Sequence, residues 1–313
     1  MKIYAAPLQG YTEAPWRLWH HRIFGGVEGY YTPFLRVEGG VVRGRDLRDA
    51  VSPLNSGVPV VPQIIFRDAA EFGLLVDCLV GRGFSEIDLN LGCPFVPQAR
   101  RGRGCGAIVN IAMLKGVSEL IRTKYGEVTF SLKMRLGAER PDEWRQSMDV
   151  INGMRLRHVT VHPRFGRQQY RGELDMAEFG DLYAECGHPV IFNGEITAPA
   201  QIAETAARFP GLAGVMVGRG LLARPSLAAE YVSGHEWPDG RRLAAIMELH
   251  EAIIGHYRRV LCGDAQVLSK IKPFWDYLEP SIGHRAAKAI KKATTLAAYT
   301  SIVNAMGSLS PDT

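Results

Sequence analysis

Residues 84–106 read FSEIDLNLGCPFVPQARRGRGCG, and the reading of the fold turns on them. Glu86–Leu91 has the pattern of a buried strand, with Ile87, Leu89 and Leu91 apolar and carboxylate and amide side chains between them. Gly92-Cys93-Pro94 ends the strand, because Pro94 has no backbone donor and Gly92 admits angles that other residues avoid. A cysteine therefore stands at the C-terminal lip of a strand, ahead of a loop carrying Arg100, Arg101 and Arg103. In a parallel α/β enzyme that lip is where active sites are built. A lone cysteine is more often a small buried hydrophobe, and an arginine run is often a solvated loop, so the remaining chain has to decide.

Short β-branched or apolar runs alternate with longer helical patterns, the sign of a parallel sheet with crossover helices. Eight strands are expected, at Ile3–Leu8, Gly29–Thr32, Pro59–Ile65, Glu86–Leu91, Thr129–Arg135, His158–His162, Val190–Asn193 and Gly214–Val217. Helical patterns between them include Ala69–Arg82, Ala112–Lys124, Asp142–Asn152, Met176–Cys186 and Pro199–Arg208. Eight such units fit a (β/α)8 TIM barrel better than a doubly wound sheet, which would carry GxGxxG after its first strand where this chain has Ala6-Pro7-Leu8-Gln9-Gly10. The strand ends supply Pro7, Gln9, Gln63, Asn90, Cys93, Lys133, Arg135, His162, Arg164, Asn193, Glu195, Gly218 and Arg219, which a closed barrel brings to one mouth. Each alone has an ordinary reading, such as a snorkelling Lys133 or a satisfied core His162; the set points to a site. Asn193-Gly194-Glu195 and Gly218-Arg219-Gly220 close the last two strands, where many barrels seat a phosphate on backbone N–H groups.

The 313-residue chain, 46% hydrophobic and 22% charged, has the composition of a globular protein and no apolar run of membrane-spanning length. Five cysteines, an odd number without a CxxC pair, argue for reduced thiols and against a zinc site or a disulfide framework. The strand signal stops near Trp237-Pro238-Asp239-Gly240, so residues 1–236 are expected to form the barrel and 241–313 a helical-bundle domain, with helices over Leu243–Val260, Ala265–Tyr277 and Arg285–Asn304 and a frayed tail from Ser308. From Arg258 to Lys292 there are eight Lys/Arg against three acids, with Lys288, Lys291 and Lys292 on one helix face, Arg285 nearby, and Trp275 and Tyr277 interleaved. Together with a net charge of +5 this allows a nucleic-acid surface without requiring one.

With these residues laid out, the chain resembles the tRNA-dihydrouridine synthases along nearly its whole length. Ala6-Pro-Leu-Gln-Gly-Tyr-Thr-Glu13 is similar to that family's opening APMxGVTD, followed by an aromatic–Arg pair, here Trp16-Arg17. Glu86-Ile-Asp-Leu-Asn-Leu-Gly-Cys-Pro94 is close to IDINxGCP, the most specific of the signatures, and Ser131-Leu-Lys-Met-Arg-Leu-Gly137 matches VKxRLG. His162-Pro-Arg164 with Gln168, Tyr170 and Arg171, then Asn193-Gly-Glu195 and Gly218-Arg-Gly220, complete the series. The chain departs from the pattern at Leu8, Pro163 and Phe165, and in the loop after Cys93, which carries arginines in place of a lysine and adds Cys105 as a second thiol.

The resemblance implies FMN as bound cofactor, NADPH (or NADH) as reductant, and a specific uridine of tRNA, expected in the D-loop, as substrate, in a cytoplasmic enzyme with no resident metal and no obligate protein partner. It implies FMN contacts from Pro7, Leu8, Gln9, Gln63, Lys133, His162, Asn193, Gly194, Glu195, Gly218 and Arg219, with Lys133 and His162 as positive charges beside the reduced flavin. Cys93 is then the acid that protonates uracil C5 while hydride reaches C6. Substrate contacts fall to Asn90, Arg100, Arg101, Arg103, Arg135, Arg164, Lys270, Lys272, Arg285, Lys288, Lys291 and Lys292. Alternatives remain at this point. One is an FMN barrel reducing a small pyrimidine in the manner of dihydroorotate dehydrogenases. Others are a non-enzymatic RNA-binding barrel and an aldolase-type barrel using Lys133 as a Schiff base.

Overall fold

The computed structural model describes residues 1–307; the tail expected from Ser308 lies outside them. Eight parallel strands form the barrel wall: β1 (Ile3–Ala5), β2 (Gly29–Tyr31), β3 (Val60–Val61 and Gln63–Ile64), β4 (Glu86–Leu91), β5 (Thr129–Gly137), β6 (Leu156–Phe165), β7 (Val190–Phe192) and β8 (Gly214–Val217). β3 is broken in the middle, and Pro62 is the cause: it has no N–H for either neighbour. Val60–Val61 pairs with β2 and Gln63–Ile64 with β4, so the two halves of one strand close the ring between them. The Thr32 hydroxyl accepts the Gln63 N–H at 3.1 Å and patches the break. The first and last strands pair as well, Ile3 beside Val215, Tyr4 beside Met216 and Ala5 beside Val217.

Period-two alternation splits the wall into two faces. Ile3, Ala5, Tyr30, Ile87, Leu89, Val190, Phe192, Val215 and Val217 belong to the large cluster packed under the outer helices, whereas Tyr4, Tyr31, Ile191 and Met216 form a separate small cluster inside the ring. His158 joins that plug, its Nε2 3.0 Å from the Tyr31 hydroxyl. Towards the C-terminal ends the inward residues turn polar in register, Gln63 beside Asp88 beside Ser131, then Asn90 beside Lys133 beside Thr160, then Arg135 beside His162.

The outer helices fall close to expectation: Ala69–Val80, Ile111–Thr123, Arg145–Asn152, Met176–Glu185 and Pro199–Arg208. The Asp68 carboxylate caps the first of these by accepting the Glu71 N–H at 2.8 Å. Among the features beyond the expectation are a helix at Ala14–Ile23 after β1 and a small hairpin pairing Val37–Glu38 with Val41–Val42.

After Pro238 the chain is helical: Asp239–Val260, Asp264–Ile271 with a 3-10 turn at Lys272–Trp275, Glu279–Ile282, His284–Lys292 and Leu296–Gly307. The single helix expected over Arg285–Asn304 is divided at Ala293, where Lys272 Nζ donates to the carbonyls of Lys291 (2.7 Å) and Ala293 (3.0 Å) and caps the first half. Asp239–Val260 lies along Ala14–Ile23, and the large apolar cluster runs without interruption from Trp16 and Leu18 into Leu249, Ile253 and Tyr299. Removing residues 241–313 would therefore strip apolar cover from a barrel helix, which makes truncation a poor way to separate a small-molecule enzyme from an RNA enzyme. Among the described residues no single helix is long and apolar enough to cross a membrane.

Candidate active site

The C-terminal ends of the strands surround a cavity of about 530 Å³. Of the strand-end residues picked out above, Pro7, Gln9, Gln63, Asn90, Cys93, Lys133, Arg135, His162, Asn193, Glu195, Gly218 and Arg219 all line it, as do Leu8 and Gly194. Sequence reasoning missed Pro33 and Phe34, which follow β2 in the same strand-end position and were recoverable by the same rule, and Ile196 and Thr197 beyond β7. Tyr170 and Tyr277 also face the cavity, the latter from the helical segment. Tyr277 packs edge-on to Tyr11 with ring centroids 5.4 Å apart, and the Tyr11 hydroxyl donates to Asp276 at 3.0 Å, so the first strand-end loop and the helical segment meet at the mouth.

Cys93 is held by its neighbours' backbones. Asn90 Oδ1 accepts the N–H groups of Gly92 (3.1 Å) and Cys93 (2.9 Å), and the Cys93 carbonyl accepts the Cys105 N–H at 3.1 Å. Gly104 packs so closely against this turn that a Cβ there would meet the Cys93 carbonyl at 2.6 Å, and its φ of +57° favours glycine. Burial pushes the Cys93 thiol above its ordinary pKa, against the pull of Arg135 and Lys133, so at neutral pH it carries its proton. Cys105 is buried, pushed up to about 11, and points at Gly166 away from the cavity; it is a packing residue.

Two basic side chains of the mouth behave differently from one another. Burial and the Arg135 charge lower Lys133 to about 8, while Asp88 pulls the other way. His162 is driven well below its usual range by burial and by Arg135, Lys133, Arg164 and Arg219, and it stands neutral at pH 7. It therefore offers the cavity a neutral imidazole in place of the expected positive charge. Its Nδ1 is buried without a partner.

The sign of a pH effect follows from Lys133. Between pH 8 and 10.5 the folded protein has released a proton that the unfolded chain still holds, so this group alone makes stability rise with pH there. An anionic ligand seated beside it restores the ammonium and takes up a proton, so its affinity is expected to fall about tenfold from pH 7 to pH 9.5. Flavin titration followed by fluorescence quenching reads this; Lys133→Ala should flatten the dependence, and a flat wild-type profile would show that Lys133 does not face the ligand.

Several arginines expected to touch RNA are spent on the fold. Arg103 is 4% exposed and paired with both oxygens of Glu71 (2.6 and 3.0 Å) and with the Val37 carbonyl (2.9 Å), so it locks the loop to the hairpin. Arg164 is 1% exposed, does not line the cavity, and donates to the Gly172 carbonyl and to Glu195. Arg135 faces the cavity and donates from Nη1 to the carbonyls of Phe165 (3.2 Å) and Gln169 (2.6 Å). Gln169 is the single non-glycine residue at positive φ (51°) among the described residues, and next to it Tyr170 lies against both the Arg135 (5.3 Å) and Arg219 (4.7 Å) guanidiniums. Arg219 also pairs with Glu195 at 3.0 Å.

In the helical segment Lys270 pairs with Glu13 and Lys272 caps a helix, and Trp275 is buried with its Nε1–H donated to Tyr299 at 2.7 Å; none of the three is free for an RNA surface. What remains exposed is Arg100 and Arg101 in the loop after Cys93, and Arg285, Lys288, Lys291 and Lys292 on the helix His284–Lys292, which buries Ala287 and Ile290 on its other side. These four form no ion pair among the described residues. Glu279–Ile282, just ahead of that helix, contacts the helix Arg219–Ala223 that follows the cavity-lining Gly218.

Solved structures share the barrel at low identity. The old yellow enzyme of Trypanosoma cruzi superposes with a TM-score of 0.53 at 10% identity, covering 76% of this chain and 88% of that one. Curated relatives include a probable tRNA-dihydrouridine synthase of Rhodobacter capsulatus, 26% identical over 276 residues, 83% of this chain and 79% of that protein. Another is the tRNA-dihydrouridine(20a/20b) synthase [NAD(P)+] of Saccharomyces cerevisiae, 26% identical over 233 residues, 73% of this chain and 62% of that protein. The family description "Dihydrouridine synthase (Dus)" matches residues 4–292, from the first barrel strand to the last lysine of the basic helix. That span holds every residue of the mouth, and the chain belongs to the dihydrouridine synthase family.

Proposed function

We propose that this enzyme reduces the C5–C6 double bond of a uridine in tRNA, with FMN as bound cofactor and NADPH as reductant. Membership of the family makes it an oxidoreductase that draws on a flavin and a nicotinamide; the observation that carries the finer reading is Cys93, protonated and held at the lip of a cavity of about 530 Å³. That volume lies in the range of cofactor and small-ligand sites. The unpartnered His162 Nδ1 and the depressed Lys133 are groups that a ligand with polar edges would satisfy.

Pro7, Leu8, Gln9 and Gln63 would hold a flavin ring, and Asn193, Gly194, Glu195, Gly218 and Arg219 its phosphate; when bound and reduced, that group would supply the hydride for C6. Cys93 gives its Sγ proton to C5 from the other face, and the S–H bond breaks as the C–H bond forms. The thiolate left behind regains a proton from solvent, and its raised pKa favours that return. Lys133 and the neutral His162 hold the polar edge of the ligand, and Arg135 keeps Tyr170 at the mouth.

Residues 1–236 serve as the catalytic domain and 241–313 as a tRNA-binding domain in this reading, which places the enzyme where tRNA is found, in the cytoplasm. The target base has to leave its stack to reach Cys93. Arg100, Arg101, Arg285, Lys288, Lys291 and Lys292 are assigned to the phosphates. If these six make the contacts, tRNA affinity falls about a thousandfold between 50 and 200 mM salt. Filter binding across that range checks it, and a weak salt response would remove the assignment.

The test of the function is the visible spectrum of the untagged protein, followed by dihydrouridine content of an unmodified tRNA after incubation with NADPH. Flavin bands that bleach with NADPH and new dihydrouridine are the expected results. A colourless protein that takes up no FMN would overturn the reading.

A further inference from the structure

Asp88 lies one layer below the cavity floor, fully buried inside the barrel, and lines neither the cavity nor the surface. Its Oδ1 accepts the Ser131 hydroxyl at 2.6 Å, and its Oδ2 accepts Gln63 Nε2 at 2.7 Å. Gln63 Oε1 in turn accepts Asn90 Nδ2 at 2.6 Å, and Asn90 Oδ1 accepts the N–H groups of Gly92 and Cys93. These contacts make one directional chain, because each primary amide has a donating end and an accepting end, and an ionised carboxylate can only accept.

We infer that Asp88 is a positioning residue that sets the polarity of this chain, so that Asn90 presents its oxygen to the backbone of the Cys93 turn. If the Gln63 amide turned over, its oxygen would face the Asp88 oxygens and its NH2 would face the Asn90 NH2, two repulsions in a buried site. With Asp88 ionised a single arrangement satisfies every group. Cys93 and the edge of Gln63 that faces the cavity are thereby fixed from below. Two titratable groups face Asp88: Lys133 on β5, whose charge favours the ionised carboxylate, and Tyr31 on β2, pushed up by burial. Burial raises Asp88 to about 6, against the hydrogen bonds from Ser131 and Gln63. The role given to Cys93 rests on the function proposed above; the chain itself does not.

The direction can be reversed by design. In Asp88→Asn the new amide satisfies Gln63 in either orientation, and the acceptor beneath the Cys93 turn is no longer enforced. In the double variant Asp88→Asn/Asn90→Asp the whole chain runs the other way: the amide at 88 donates to Gln63 Oε1, Gln63 Nε2 donates to the carboxylate at 90, and that carboxylate accepts from Gly92 and Cys93. The experiment compares iodoacetamide alkylation of Cys93, read peptide by peptide, in the wild type, both variants and Ser131→Ala. D88N should alkylate about fivefold faster, as expected for one lost buried hydrogen bond. The double variant should return to the wild-type rate or below; with all four proteins compared at pH 9, where Asp88 is ionised even without the Ser131 hydrogen bond, S131A should match the wild type, since it removes an Asp88 contact outside the chain.

Equal acceleration in D88N and S131A, or no rescue in the double variant, would reduce Asp88 to a packing residue and overturn the inference. If D88N fails to fold, the double variant decides alone: folded with wild-type Cys93 reactivity it supports the chain, unfolded it defeats it. Alkylation needs neither RNA nor nicotinamide, so a protein that reduces no uridine but obeys this pattern would refute the function while leaving the inference standing.

Discussion

Replacing Cys93 with alanine is expected to lower uridine reduction about 100- to 10,000-fold, the usual worth of a positioned acid. Flavin uptake and its bleaching by NADPH should be untouched, because Cys93 lies on the side of the cavity assigned to the base. The separation of the two half-reactions is the informative part. Single-turnover mixing of NADPH-reduced enzyme with unmodified tRNA should show flavin reoxidation slowed by the full factor. Cys105→Ala, a change to a buried thiol facing Gly166, should leave that rate alone. Full activity in the Cys93 variant would mean that the proton comes from elsewhere in the mouth.

The second large effect is on stability. Arg17 is completely buried and donates to the Thr12 carbonyl (2.6 Å), the Asp49 carboxylate (2.9 Å) and carbonyl (3.2 Å), and the Asn55 side chain (3.0 Å). Arg17→Leu leaves those acceptors without their donor, and the unfolding free energy should drop by about 3–5 kcal/mol. Arg17→Lys keeps the charge but not the planar fork, and is expected to recover only part of it. The effect should reach the mouth, since Thr12 Oγ1 accepts the Leu8 N–H at 2.8 Å and Leu8 lines the cavity. Denaturant unfolding with and without added FMN reads both consequences. A loss below 1 kcal/mol would show the cluster to be solvated and weak.

The same arginine shows what the sequence made legible and what it withheld. Trp16-Arg17 stands out as a motif, but nothing local reveals that its charge is spent on Asp49 and Asn55. Arg103, Arg164, Lys270 and Trp275 look available for RNA in the sequence for the same reason: their partners Glu71, Glu195, Glu13 and Tyr299 are far away in the chain. By contrast Glu86–Leu91 and Gly214–Val217 begin and end where expected, because a glycine stands beyond each, the first alternates apolar with polar residues and the second is a short unbroken apolar run. The cavity was legible because barrel geometry carries every strand end to one place, so that position along a strand is also position in space. The break in β3 was written in Pro62, yet its consequence, one strand serving two neighbours, depends on where β2 and β4 lie.

Because β1 pairs with β8, the ring cannot be completed until Gly214–Val217 has left the ribosome, and the cover that Asp239–Val260 gives to Ala14–Ile23 comes later still. Until then the earliest strand presents an open edge on the side where its last partner belongs. Contacts of such long sequence separation make folding slow, and an unpaired edge in a partly folded chain invites association with other chains. The nascent protein should therefore depend on chaperones longest at its own N-terminal strand, and variants that weaken the Ile3–Ala5 edge should show up first as low soluble yield, before any change in the activity of the molecules that fold.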